Sequence, residues 1–152
     1  MALKTLNVLG FSRRGEQFLV KTSEFDIRIS KNKHHKALDA PSPIEYILAG
    51  YAGCINAVGV VVAKELNIVI ESLQVEISGD INTDKYYGIE TNERAGFNKI
   101  DVIVKANSDA SYKDLQNWLS IVESRCPVYD NLINLTPINV SLINEFEVIS
   151  ST

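Results

Sequence analysis

Nucleophilic or acid–base chemistry at neutral pH points first to four residues of this chain: Cys54, Cys126, His34 and His35. A cysteine reacts as its thiolate, and its free pKa is ~8.5, so a reactive one needs an activator. Cys54 sits inside residues 46–63 (YILAGYAGCINAVGVVVA), a run without a charge. If that run is a helix opening at Ser42, Cys54 lies roughly 18 Å along its axis. The helix dipole fades within the first turn and cannot reach it. Burial beside Tyr51, Ala57 and Val58 would oppose ionisation. A cation must then come from elsewhere in the fold, and Arg13, Arg14, Arg28, Arg94 and Arg125 are the candidates. Cys126 is of another kind: it precedes Pro127, which pushes it out of helical geometry and leaves its backbone room to move. A mobile thiol beside a rigid one is the geometry of a peroxidatic and resolving pair. Two unrelated core cysteines would look the same in the sequence.

The histidines support less. His34 and His35 are adjacent rather than at ligand spacing and lie in the polar stretch KNKHHKALDAP, so they read as solvated. The cysteines lack CxxC spacing, and no metal site is expected. A hydrolytic or acyl-transfer thiol would need a base, and no histidine is near Cys54 in sequence.

Composition sets the limits. A chain of 152 residues, 45% hydrophobic and 22% charged, suits one ordinary domain over 1–152. A net charge of −4 and the lack of a basic block argue against nucleic acid as partner. The N-terminal MALKTLNVLGFSRRGE has no apolar run of signal-peptide length, so a cytoplasmic protein with resting thiols is expected. Residues 46–63 approach the ~20 apolar residues of a membrane span. Gly50, Gly53, Gly59 and Asn56 favour a buried core helix instead, and no membrane partner is expected.

The elements that must hold these side chains follow from periodicity. Residues 3–9 alternate loosely, FSRRG reads as a turn, and EQFLVKT and EFDIRIS alternate around a short TSE connection. Together they predict a three-stranded meander over 3–30. After a crossing loop at 31–41, Ser42-Pro43-Ile44-Glu45 forms a capping box that opens a helix over 43–66. The glycines of this helix imply a close neighbour, either a second helix or a partner subunit. Leu73, Val75, Ile77 and Ile81 alternate as a strand, residues 82–96 are a polar excursion, and Ile100, Val102, Val104 and Ala106 alternate again. A second helix runs from near Ser111 to near Arg125, and a short one spans 128–134. Ile138, Val140, Leu142, Phe146 and Val148 predict a long closing strand. Alternating strands bury one face each, which gives an α+β fold with two antiparallel sheets around two central helices.

PSPIEYILAGYAGC, followed by a second cysteine in SRCPVYDNL, resembles the family of osmotically inducible and organic hydroperoxide resistance proteins (OsmC/Ohr). The element order matches across nearly the whole chain, on the osmotically-inducible-like side of the family. The resemblance implies an intertwined homodimer whose central helices pack together. It also implies reduction of organic hydroperoxides in oxidative-stress defence. Cys54 would attack the peroxide and become a sulfenate, Cys126 would condense with it to a disulfide, and an external dithiol would restore both. No metal, flavin or other cofactor is implied. Peroxidatic members use an arginine from the early strand region, which falls at Arg14 here, with Arg13 its neighbour. They also carry a glutamate directly after the helix-opening proline. That position is Ile44, and the acid is Glu45, about 180° around the helix from Cys54 at ~100° per residue. The alternative is a non-catalytic dimer that binds a hydrophobic small molecule around Tyr51 and Cys54.

Overall fold

A computed structural model describes residues 3–12, 18–29 and 40–144. Arg13, Arg14, His34, His35, Phe146 and Val148 lie outside them, so the expectations resting on these residues do too.

The central element is α1 (Pro43–Glu65). Ser42 caps it as its sequence predicts: the Glu45 N–H donates to Ser42 Oγ at 3.3 Å, and Glu45 Oε2 accepts from the Ser42 N–H at 2.8 Å. Pro43 fits the first helical position, where no N–H is needed. The helix ends in a Schellman motif. Asn67 adopts φ 54, the Asn67 N–H donates to the Lys64 carbonyl, and the Ile68 N–H donates to the Ala63 carbonyl at 2.9 Å. By length and composition alone α1 could cross a membrane. Here it packs against two further helices and a sheet, burying Tyr51, Ile55, Gly59, Val62 and Ala63.

The helices α2 (Tyr112–Arg125) and α3 (Pro127–Ile133) follow each other, separated by Cys126 alone. Ser111 caps α2 by accepting from the Asp114 N–H at 3.1 Å. Trp118 and Val122 are the buried positions of its apolar stripe. The Trp118 indole N–H donates to the Gly59 carbonyl at 2.9 Å, and a Cβ at Gly59 would stand 2.8 Å from the indole Cζ2. This is the close neighbour that the glycines implied, but only Gly59 meets it. Gly50 and Gly53 face open space.

The strands form two antiparallel sheets, which makes the fold α+β as expected. One is the meander β1 (Leu9–Phe11), β2 (Phe18–Lys21) and β3 (Asp26–Ile29). Its second turn is closed by Thr22, whose N–H donates to the Phe25 carbonyl at 2.8 Å. The Tyr46 hydroxyl donates to the Arg28 carbonyl at 2.7 Å and ties the meander to α1. The other sheet pairs β4 (Ser72–Ile81) with β5 (Phe97–Asn107), with a register shift at Asp80/Ile81. Leu73, Val75, Ile77, Val102 and Val104 face the helices, as their alternation predicts.

Two strand expectations fail within the described residues. The first strand lies at Leu9–Phe11 rather than 3–9, because β2 offers its ladder only to that stretch, in the register Leu9↔Lys21 to Phe11↔Leu19. Residues 135–144 pair with nothing among the described residues, and Leu135, Ile138, Val140 and Leu142 are almost fully exposed. Alternation marks a strand that needs a partner, and within the described chain none is supplied.

Candidate active site

Cys54 rides on the fourth turn of α1, and Cys126 links α2 to α3. The extended backbone before Pro127, φ −78 and ψ 111, lets Cys126 end one helix and cap the next. The packing of α2 and α3 on α1 brings residues 72 apart in sequence together: Cys126 Sγ lies 2.7 Å from Cys54 Sγ. Both are free thiols.

Their environments differ, and not as the sequence suggests. The buried thiol is Cys126, at 1% exposure, whereas Cys54 is half-buried. The difference comes from α1. Cys54 stands between the face packed on α2 and α3 and the open face that carries Gly50 and Gly53. Cys126 donates toward the Cys54 sulfur and accepts the Tyr129 N–H at 3.4 Å. Burial pushes the Cys126 thiol up, and the hydrogen bond to Cys54 adds to this. The N–H groups of Tyr129 and Val128 pull it the other way. At neutral pH Cys126 therefore keeps its proton and offers it to Cys54, the more accessible sulfur.

Two tyrosines complete the surroundings. Tyr51 lies one helical turn before Cys54, Tyr129 lies one turn into α3, and their rings stack at 6.0 Å with 20° between planes. Burial, then Glu123, Cys126, Tyr129 and Cys54, push the Tyr51 hydroxyl up to about 12. Tyr129 was not singled out by sequence. Its signal was available, since each tyrosine sits three residues from a cysteine, the spacing that puts side chains on one helix face.

The arginine candidates resolve unevenly. Arg125 adjoins Cys126, but its guanidinium pairs with Glu65, Nη1 to Oε2 at 2.7 Å. Among the described residues, no arginine is one of the groups that perturb Cys126. Arg14 and Arg13 are outside the described residues. Glu45 serves the cap, so the carboxylate next to Ile44 is engaged with Ser42. Among the described residues no cluster of three His, Cys, Asp or Glu could hold a metal ion. Two cavities, of about 460 and 350 Å³, are lined by other residues than Cys54, Cys126 or Tyr51.

The OsmC-like protein family matches residues 33–141, well over half of the chain. The chain belongs to the OsmC-like family. An OsmC-like protein from Mycoplasma pneumoniae has the same fold, with TM-score 0.76, 20% identity, and 87% of this chain and 89% of that one covered. An organic hydroperoxide resistance protein from Legionella pneumophila superposes with TM-score 0.62 at 19% identity, covering 87% and 91%. The organic hydroperoxide resistance protein OhrB of Bacillus subtilis gives TM-score 0.57 at 25% identity, covering 86% and 91%. No curated protein matches the chain in sequence. In this chain both cysteines lie at the helical centre, where α1, α2 and α3 meet.

Proposed function

We propose that this OsmC-like protein is a thiol peroxidase that reduces organic hydroperoxides. The observation that carries the reading is the 2.7 Å approach of Cys54 and Cys126, one sulfur accessible and the other buried behind it. Cys54, as thiolate, attacks the terminal peroxide oxygen. An S–O bond forms, the O–O bond breaks, and the alcohol leaves once its oxygen is protonated. Cys126 then attacks the Cys54 sulfenate: the S–S bond forms, the hydroxyl leaves, and with the Cys126 proton it departs as water. An external dithiol reduces the disulfide. Because the sulfurs are already adjacent, the second step needs only a small rotation of Cys126. Arg14 is the proposed cation for Cys54. The reaction fits a compartment that keeps thiols reduced, such as the cytoplasm, and a role in oxidative-stress defence. Neighbours named for organic hydroperoxide resistance support the substrate class.

The functional unit is proposed to be a homodimer. Gly50 and Gly53 leave one face of α1 open, with Val60 and Val61 beyond them half to two-thirds exposed. A partner's helix would cover this surface.

The test is thiol counting after stoichiometric cumene hydroperoxide. The expected product has no free thiol and a Cys54–Cys126 disulfide in its peptide map, and Cys126→Ser should stop at a trappable Cys54 sulfenate. Two surviving thiols, or consumption of peroxide by a Cys54→Ser variant, would sink the reading.

A further inference from the structure

Buried hydroxyls nearly always find a hydrogen-bond partner. Tyr51 departs from this rule at the one place where it matters. It is 5% exposed, and its hydroxyl makes no hydrogen bond among the described residues. Tyr46, on the same helix, meets the Arg28 carbonyl at 2.7 Å, and the buried Trp118 N–H meets the Gly59 carbonyl. The ring of Tyr51 is held in place by its stack on Tyr129, whose backbone N–H is itself bound to Cys126 Sγ. One helical turn brings the side chain to the face that carries Cys54.

We propose that the Tyr51 hydroxyl is a catalytic hydrogen-bond donor to the alkoxide oxygen that leaves when Cys54 attacks a hydroperoxide. This inference rests on the peroxidase reading above and adds the proton that the reading requires. The thiolate attacks the terminal oxygen, the O–O electron pair leaves with the alkoxide, and Tyr51 donates its proton to it. The tyrosinate then recovers the proton released by the Cys54 thiol. The sum is thiol plus hydroperoxide to sulfenic acid plus alcohol. Burial and the neighbouring Glu123, Cys126, Tyr129 and Cys54 keep Tyr51 protonated, so it acts as a donor throughout the neutral range. An alkoxide is the stronger base and takes the proton downhill.

The test is Tyr51→Phe, which keeps the ring and its stack. The rate of Cys54 oxidation by cumene hydroperoxide is measured beside the rate of its alkylation by iodoacetamide. The second reaction expels iodide and needs no proton. The variant should lose roughly 10²-fold with peroxide, as when one oxyanion donor is removed. Alkylation should stay within about twofold, and Tm should be unchanged or higher, because no hydrogen bond among the described residues is lost. Equal peroxide rates in both proteins would overturn the inference while leaving the peroxidase intact. Parallel loss of both rates would overturn it in favour of a packing role. A wild-type protein that ignores hydroperoxide would overturn the function and this inference together.

Discussion

At Cys126, burial and the hydrogen bond to Cys54 raise the thiol's pKa against the pull of two backbone N–H groups. A raised pKa means that only a small thiolate fraction is present at neutral pH. Condensation with a Cys54 sulfenate should therefore accelerate as pH rises toward that pKa and then level off. Stopped-flow disulfide formation in preformed sulfenate measures this, and a flat profile through the alkaline range would contradict the assignment. Tyr51 has a stability consequence of the same sign. Its hydroxyl goes from the ordinary 10.0 to about 12 on folding. Below pH ~10 both states keep the proton and stability is unaffected. Between about 10 and 12 the unfolded chain ionises first, so stability falls as pH rises. Alkaline denaturant titrations of the reduced protein should show this loss, and Tyr51→Phe should lack it. Only part of this was legible in the sequence. Pro127 announced the extended Cys126, but which cysteine is buried depends on how α2 and α3 close over α1, which no local pattern contains.

At the scale of the element, α1 was the most legible feature, because its start is written in Ser42, Pro43 and Glu45 and its hydrogen bonds are local. Ser42→Ala should cost about 1 kcal/mol in denaturant unfolding, the usual value of an N-cap. An unchanged midpoint would mean that the box contributes nothing. The glycines were legible as a group but not one by one. At Gly59 the added methyl of Ala would gain about 1 kcal/mol of helix propensity. It would also meet the Trp118 ring at 2.8 Å and loosen its hydrogen bond to the helix. Overpacking of this kind costs ~1–3 kcal/mol and the hydrogen bond ~1, so against the propensity gain a net loss of about 1–3 kcal/mol is expected for Gly59→Ala. Gly53→Ala meets nothing within the chain. It should leave the fold intact and, if a partner helix lies on that face, weaken association. A destabilised monomer in the second case, or a stabilised one in the first, would show that the α1 contacts are misassigned.

At the scale of the whole molecule, the two failed strand expectations have one physical cause. Local alternation tells which residues want a sheet but not whose sheet they join. Val140 at 89% and Leu142 at 98% exposure are alternate positions of one apolar stretch without a ladder. Contiguous apolar surface of this kind is rarely left in water and marks an interaction site. Meanwhile β4 and β5 form, among the described residues, a sheet of two strands, which is marginal by itself and has an outer edge on each side. The proposed homodimer answers both needs, since residues 138–142 of one subunit can extend along a sheet edge of the other and lay Ile138, Val140 and Leu142 on one apolar face. Burying a Val or Leu side chain is worth about 1.5–3 kcal/mol, so a charge placed there should be felt as lost association more than as local unfolding. Val140→Lys should shift sedimentation at micromolar concentration from dimer toward monomer. Its helical circular dichroism should stay near that of the parent, because α1, α2 and α3 draw their core from Ile55, Val62, Trp118 and Val122. A wild-type protein that sediments as a monomer, or a Val140→Lys variant that stays fully dimeric, would remove residues 138–142 from the interface and leave their exposed alternation to be explained within the single chain.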